Sequence, residues 1–273
     1  MLNSGSGEKT ESNATLKPDE LIRSVSPAND SGGPLPDLRT NNTLSTGHDL
    51  RAEVDRNGFA IVRNVFNPES IALLEKALHD AGITSEHGSR RIATRVPQIG
   101  ILARSSDSLR LVSAVLGKEA FLVQSIFFDK SRESNWKVPW HQDQTIPVKA
   151  HIPVPGFGGW SVKSSIPHVQ APANVLEEML ILRLHLDECN EENGALRVLP
   201  GSHSAGKLGT DRIRWWRETV VPQMCNVTAG GVLLMKPLLL HASSAARIPT
   251  RRRVIHLEYA VNPLPGGLEW ILE

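Results

Sequence analysis

Trp140-His141-Gln142-Asp143 is the stretch on which the reading of this chain turns. Side chains repeat with period two in extended backbone, so His141 and Asp143 point to the same side and can reach one metal ion. An imidazole and a carboxylate, joined by a second imidazole from elsewhere, form the facial triad that leaves positions open on non-haem Fe(II). A lone His-x-Asp recurs by chance, so the reading needs a third ligand. The candidate is His241, which ends the apolar run Lys236-Pro237-Leu238-Leu239-Leu240, a stretch that reads as a buried strand stopping on a polar residue. His185 competes for the role. It sits in a strand read over residues 179–187, with Leu180, Leu182, Leu184 and Leu186 on one face and Ile181, Arg183, His185 and Asp187 on the other. One face of such a strand lines a barrel cavity and the other packs outward, and alternation does not say which is which.

Three segments recur together in order and spacing. They are His141-Gln142-Asp143, then Asn193-Gly194-Ala195-Leu196-Arg197-Val198-Leu199-Pro200-Gly201-Ser202-His203, then His241-Ala242-Ser243 with Arg252 eleven residues after that histidine. In this joint pattern the chain resembles the phytanoyl-CoA dioxygenase family over roughly residues 48–273. The resemblance implies a mainly β fold with flanking helices, a double-stranded β-helix of the jelly-roll, cupin-like kind. It implies an enzyme that uses Fe(II), 2-oxoglutarate and O2, with ascorbate in support. Iron would sit on His141, Asp143 and His241, and the distal carboxylate of 2-oxoglutarate on Arg252 and Ser243. Gln124 and Lys130 are similar in placement to a Gln and a Lys ahead of the His-x-Asp of ectoine hydroxylase, a member of that family, which implies pocket roles for both. The implied reaction hydroxylates an unactivated C–H of a small molecule while 2-oxoglutarate is decarboxylated to succinate. Asp143 matters to that expectation, because related halogenases carry a small residue at this position.

The competing class is a metal-binding β-barrel without turnover, or a cupin-like enzyme with no 2-oxoglutarate. Arg252 separates the two, since only the co-substrate needs a guanidinium fork to grip a second carboxylate. Arg251 and Arg253 beside it read as a solvated face. By alternation Arg252, Val254, His256 and Glu258 share one face of the last strand, opposite Arg253, Ile255, Leu257 and Tyr259.

The chain has 273 residues, enough for one large β domain with a sizeable core. Thirty basic and 29 acidic residues leave a formal charge of +1, which gives no electrostatic case for nucleic acid or an anionic membrane as partner. A small-molecule substrate remains. Two cysteines, Cys189 and Cys225, are too few for a disulfide framework and match no zinc or redox spacing. A reducing compartment fits. With no basic segment followed by an apolar one at the start, and no stretch near the ~18 apolar residues of a membrane span, a cytoplasmic location is expected.

Residues 1–47 are rich in Ser, Gly, Asn, Thr, Pro and Asp without sustained periodicity, and read as a disordered tail. Residues 58–62 read as a strand. Asn67-Pro68 then supplies a cap and a first-turn proline for a helix to about Ala81, with Gly82 past its end and a buried stripe of Ile71, Leu74 and Leu78, joined by Leu73 and Ala77. The run Ser105-Ser106-Asp107-Ser108 supplies a cap for a second helix through Leu109, Leu111 and Val112 that stops at Gly117. Residues 120–128 form a strand with Gln124, Ile126 and Phe128 on one face. Residues 144–173 hold five prolines and three glycines, which argues against uninterrupted helix or central strand. With Phe157, Trp160, His151, His168 and Gln170 they are expected to form an ordered lid over the pocket mouth. His203 has a structural role at a turn, and Trp215-Trp216 lies in an amphipathic connector.

Overall fold

A computed structural model describes residues 47–83, 88–248 and 250–273. The chain forms α1 (Gly47–Asn57), β1 (Phe59–Val62), α2 (Pro68–Asp80), β2 (Ser89–Arg90), α3 (Ile92–Arg95), α4 (Pro97–Ala103) and α5 (Ser106–Leu116). There follow β3 (Phe121–Lys130), β4 (Val138–His141), β5 (Thr145–Pro147), β6 (Gly158–Lys163), β7 (Ile166–Gln170), α6 (Ala173–Glu177), β8 (Leu180–His185) and β9 (Leu196–Val198). The last elements are α7 (Thr210–Thr219), β10 (Gln223–Met224), β11 (Val232–Met235), β12 (His241–Ser243) and β13 (Arg252–Ala260). The expected tail over 1–47 lies outside the described residues, except that Gly47 begins α1.

Six strands make an antiparallel sheet in the order β1-β11-β8-β13-β3-β2, and four make a second in the order β10-β9-β12-β4. Side chains of both sheets line one cavity, the arrangement of a double-stranded β-helix. The face left open by alternation in β8 is settled by packing. Leu180, Leu182, Leu184 and Leu186 join Ile255, Leu257 and Tyr259 of β13 in a core against Leu50 and Val54 of α1, Ile71, Leu74 and Leu78 of α2, and Leu111, Val112 and Val115 of α5. Arg183 of β8, with Arg252, His256 and Glu258 of β13, therefore faces the cavity.

Local chemistry explains the helices that hold this layer. Asn67 Oδ1 accepts from Ser70 N at 2.8 Å, and Pro68 sits in the first turn where its missing N–H costs nothing. Asn67→Ala is expected to lower unfolding free energy by about 1 kcal/mol, read as a shifted denaturant midpoint at constant m value. The buried stripe of α2 differs from expectation at one place. Leu73 is exposed, and Ser70 is buried in its stead, its hydroxyl held by the same Asn67 oxygen. Ser105 caps α5 by accepting from Ser108 N, and Gly117 ends it with φ of +68°.

Residues 144–173 are ordered, but not as an irregular loop. They form an antiparallel sheet of three strands in the order β5-β7-β6, with Gly159 at φ of +57° inside a register shift of β6. Its aromatics anchor it. Phe157 and Trp160 pack on a cluster that includes Ile146, Val169, Leu264 and Trp270, and His151 stacks on Trp160 at 4.0 Å between ring centroids. Only Thr145 and Lys163 of this stretch line the cavity. Among the described residues no helix is long and apolar enough to cross a membrane. Cys189 and Cys225 are both free and buried, and burial pushes the Cys225 thiol up to about 12.

Candidate metal centre and cavity

The metal-ligand set follows from strand register. His241 of β12 pairs directly with His141 of β4, which brings the two rings to 4.2 Å between centroids. Asp143, just past β4, is tied by its backbone N–H to Pro237 O at 2.9 Å. Its carboxylate lies between the rings, with Oδ1 3.5 Å from His141 Nε2 and Oδ2 3.6 Å from His241 Nε2. One ligand atom from each of the three residues falls within 4.8 Å of the others.

The other ring nitrogens set the tautomer. His141 Nδ1 donates to Pro139 O and His241 Nδ1 to Leu239 O, each at 2.9 Å. Each Nε2 is thereby left facing the Asp143 carboxylate as the nitrogen a metal would take, which is how metal-ligating histidines are commonly oriented. Burial pushes His241 down to about 4 against the pull of Asp143, so the ring is held neutral and ready to ligate. For Asp143 burial acts upward, but His241 and His141 hold its carboxyl well below the usual carboxylate range. Burial likewise acts to lower His141, and its hydrogen bond and charge contact with Asp143 outweigh that and raise it. Two imidazole nitrogens and one carboxylate oxygen on one side of a cavity suit a divalent first-row metal with open positions.

His185, the competing third ligand, is elsewhere. It is buried, and both its ring nitrogens lack a hydrogen-bond partner among the described residues. It forms no part of the cluster around Asp143. Burial, with Arg183 and Arg252 nearby, pushes its pKa well below the usual value, so it stays neutral.

A cavity of about 230 Å³ opens beside the triad. Arg252 and Ser243 line it together with His141, Asp143 and His241. The Arg252 side chain is fixed from behind, Nη1 donating to Gly194 O at 2.6 Å, while its Nε has no partner. Gly194 permits this approach. Its φ is +79°, and a Cβ there would fall 2.6 Å from Ser244 O. Gln124 also lines the cavity, but its amide is engaged. Its nitrogen donates to Glu258 Oε1 at 2.5 Å, its oxygen accepts from Arg90 Nη1 at 2.9 Å, and His168 Nε2 sits 3.1 Å from that oxygen. Lys130 does not reach the cavity wall. Fully buried and directly opposite Arg252 in the β13·β3 pairing, it donates to Ser244 O at 2.8 Å and lies over the Trp136 ring. Burial, with Arg252 beside it, pulls the Lys130 amine down to about 7.

Several cavity residues were not singled out by sequence reading. Arg183 Nη1 donates to His256 Nδ1 at 2.7 Å, which leaves His256 Nε2 to donate to Glu258 Oε1 at 3.0 Å. The first bond joins cross-strand neighbours, His256 opposite Arg183, the second runs along β13, and Glu258 in turn meets Gln124 opposite it. Alternation put Arg183, His256 and Glu258 on defined faces, but only the pairing of β8, β13 and β3 shows that they meet. His203 has the structural place expected of it, with Nε2 donating to Asp55 O at 3.2 Å. Trp215 is exposed on α7, and Trp216 packs on Leu199, Leu208 and Leu240, away from the cavity.

Comparison with known proteins agrees with this architecture. Ectoine dioxygenases from Bordetella bronchiseptica and Sphingopyxis alaskensis are 24% and 26% identical over 165 and 168 residues, 55% and 56% of this chain. Those matches cover 47% and 48% of the relatives, so the chain spans about half the length of the proteins it matches. Among solved structures, EctD from S. alaskensis with 2-oxoglutarate and 5-hydroxyectoine superposes with a TM-score of 0.61 at 18% identity, over 82% of this chain and 79% of that one. The non-heme alpha ketoglutarate dependent carbocyclase SnoK from nogalamycin biosynthesis gives 0.63 at 13% identity, over 86% and 99%. The epimerase SnoN from the same biosynthesis gives 0.60 at 15% identity, over 78% and 80%. These superpositions establish the double-stranded β-helix. The family model described as phytanoyl-CoA dioxygenase (PhyH) matches residues 54–254, most of the described chain and every residue of the metal cluster, so the chain belongs to the phytanoyl-CoA dioxygenase family.

Proposed function

We propose that residues 48–273 carry an Fe(II)- and 2-oxoglutarate-dependent oxygenase that hydroxylates a C–H bond of a small molecule. The observation that carries this is one cavity holding both His141, Asp143 and His241, with their Nε2 and carboxylate atoms converging, and the buried guanidinium of Arg252 with the Ser243 hydroxyl. A cupin-like metal site without a co-substrate accounts for the triad but not for Arg252.

In this reading His141, Asp143 and His241 hold the iron, and the cavity side of the triad stays open for 2-oxoglutarate and O2. When bound, iron and its co-substrates supply the oxidising power that turns C–H into C–OH as the oxo acid becomes succinate. The protein does the rest by placement. The Arg252 guanidinium and the Ser243 hydroxyl grip the distal carboxylate, and Gly194 O holds the guanidinium so that little entropy is lost in orienting it at binding. Phe128, Val138, Leu196 and Ile126 give the cavity apolar wall, which excludes water from the reacting carbon. The relatives named as carbocyclase and epimerase start from the same fold, and hydroxylation is the reading that needs no residue beyond those described.

The test is succinate release from 2-oxoglutarate with Fe(II) and ascorbate under air, followed by product analysis for one added oxygen. No succinate at any substrate would sink the assignment. Asp143→Gly is expected to lose hydroxylation. Full retention of turnover in that variant would remove the carboxylate from the ligand set.

A further inference from the structure

Arg90 and Lys163 both line the cavity, each from a different sheet. Arg90 is on β2, the edge strand of the large sheet, and Lys163 is on β6, the edge strand of the three-stranded sheet. Both are half-buried, and each has only a neutral hydrogen-bond partner. Arg90 Nη1 donates to Gln124 Oε1 at 2.9 Å, and Lys163 Nζ donates to Thr145 Oγ1 at 2.8 Å. Among the described residues neither makes an ion pair, and the nearest acids that act on both are Glu258 and Asp143. Asp143 is taken by the histidines, and Glu258 takes both Gln124 and His256 on Oε1, so the two cations share at most the remaining oxygen of one carboxylate.

The charge of the whole cavity is unbalanced in the same sense. Arg90, Lys163, Arg183 and Arg252 face only Asp143 and Glu258. A divalent metal and a doubly charged 2-oxoglutarate cancel each other, so loading the site leaves the excess of two positive charges in place. Partly desolvated cations that outnumber their counter-ions are costly, and burial lowers the pKa of both Arg90 and Lys163 against the pull of Glu258 and Asp143. A cavity that keeps them is complementary to an anion. Ile126, directly opposite Arg90, and Phe128 two residues further along β3 line the same cavity and give it an apolar surface suited to a carbon skeleton.

We propose that the oxidised substrate is a small organic acid whose carboxylate is held by Arg90 and Lys163 and whose apolar body lies against Ile126 and Phe128. This rests on the oxygenase reading for the word substrate, while the acid site itself can be tested without turnover.

The experiment uses full-length protein loaded with Mn(II) and saturating 2-oxoglutarate under argon, titrated calorimetrically with a panel of aliphatic, cyclic and aromatic carboxylic acids of four to ten carbons (~4–10, small enough for the cavity). Each acid is matched to its neutral carboxamide and to a phosphate monoester of the same skeleton. Acids are expected to bind at least about tenfold tighter than their amides, as a charge-assisted hydrogen bond implies. Arg90→Gln and Lys163→Gln should each bring the acid-to-amide ratio close to one. A variant that had merely misfolded would lose both ligands and the ratio would not report a selective change, so melting temperature and amide affinity are measured alongside. Acids that bind no better than amides, no acid binding at all, a preference for the phosphate esters, or an acid preference that survives both substitutions would each overturn the proposal. Failure of 2-oxoglutarate to bind, with acid discrimination still dependent on Arg90 and Lys163, would leave the acid site standing and remove the oxygenase reading instead.

Discussion

His241→Ala and His141→Ala are each expected to abolish stoichiometric Fe(II) binding while the chain stays folded. Removing a ligand leaves one imidazole and one carboxylate, and the loss should exceed the roughly 10–100-fold that follows from deleting only a partner behind a ligand. The two variants should differ in stability. His241 is buried at 4% exposure, so truncation opens a cavity and strands Leu239 O, its Nδ1 partner, without a donor. His141 is half-buried, and its truncation should cost less. Metal titration under argon, followed by denaturant melts of the apo proteins, checks both statements. His185→Ala is the comparison. It removes a buried histidine of the same barrel that lies outside the cluster, and iron affinity should be unchanged. Iron binding that survives in His241→Ala but fails in His185→Ala would reverse the ligand assignment.

The parts of the site that were legible in the sequence are those fixed by local geometry. Period two placed His141 with Asp143, and put Arg252 on the face of His256 and Glu258, where the structure has them. Caps at Asn67 and Ser105 and the stop at Gly117 are matters of a few neighbouring residues, and those helices lie where the sequence places them. What was hidden depends on chain segments far apart. β2 has two residues, too few to show any period, yet it delivers Arg90 to the cavity. β5, β6 and β7 are short and broken by proline and by Gly159, so their sheet has no alternation long enough to read. α1 was passed over between the tail and the first strand, although Leu50 and Val54 are core residues. Arg253 is a different case. A run of three arginines reads as a solvated face, which holds for Arg251, exposed and paired with Asp129 at 2.8 Å. Arg253 instead lies largely buried between Asp187 and Glu75, 2.6 Å from each, because β13 alternates it onto the side covered by α2.

That difference sharpens the expected result for Arg252→Ala. Its guanidinium is already paid for in burial and held by Gly194 O, so the carboxylate it meets gains a preformed charged partner. Truncation should weaken 2-oxoglutarate binding by ~1.5–3 kcal/mol, roughly 10–100-fold, and appear as a raised KM for 2-oxoglutarate with the KM for the oxidised substrate little changed. Arg251→Ala should leave 2-oxoglutarate affinity unchanged and lower stability modestly, since the exposed guanidinium donates twice to buried Asp129 and lies outside the cavity. Arg253→Ala should leave 2-oxoglutarate affinity intact and lower the melting temperature, because it strands Asp187 and Glu75 on a partly covered surface. The neighbours thus separate by readout: affinity for Arg252, stability alone for Arg253 and Arg251. Loss of 2-oxoglutarate binding in Arg253→Ala with normal binding in Arg252→Ala would mean that β13 presents its other face to the cavity, since a shift of one residue exchanges every side chain between the two faces.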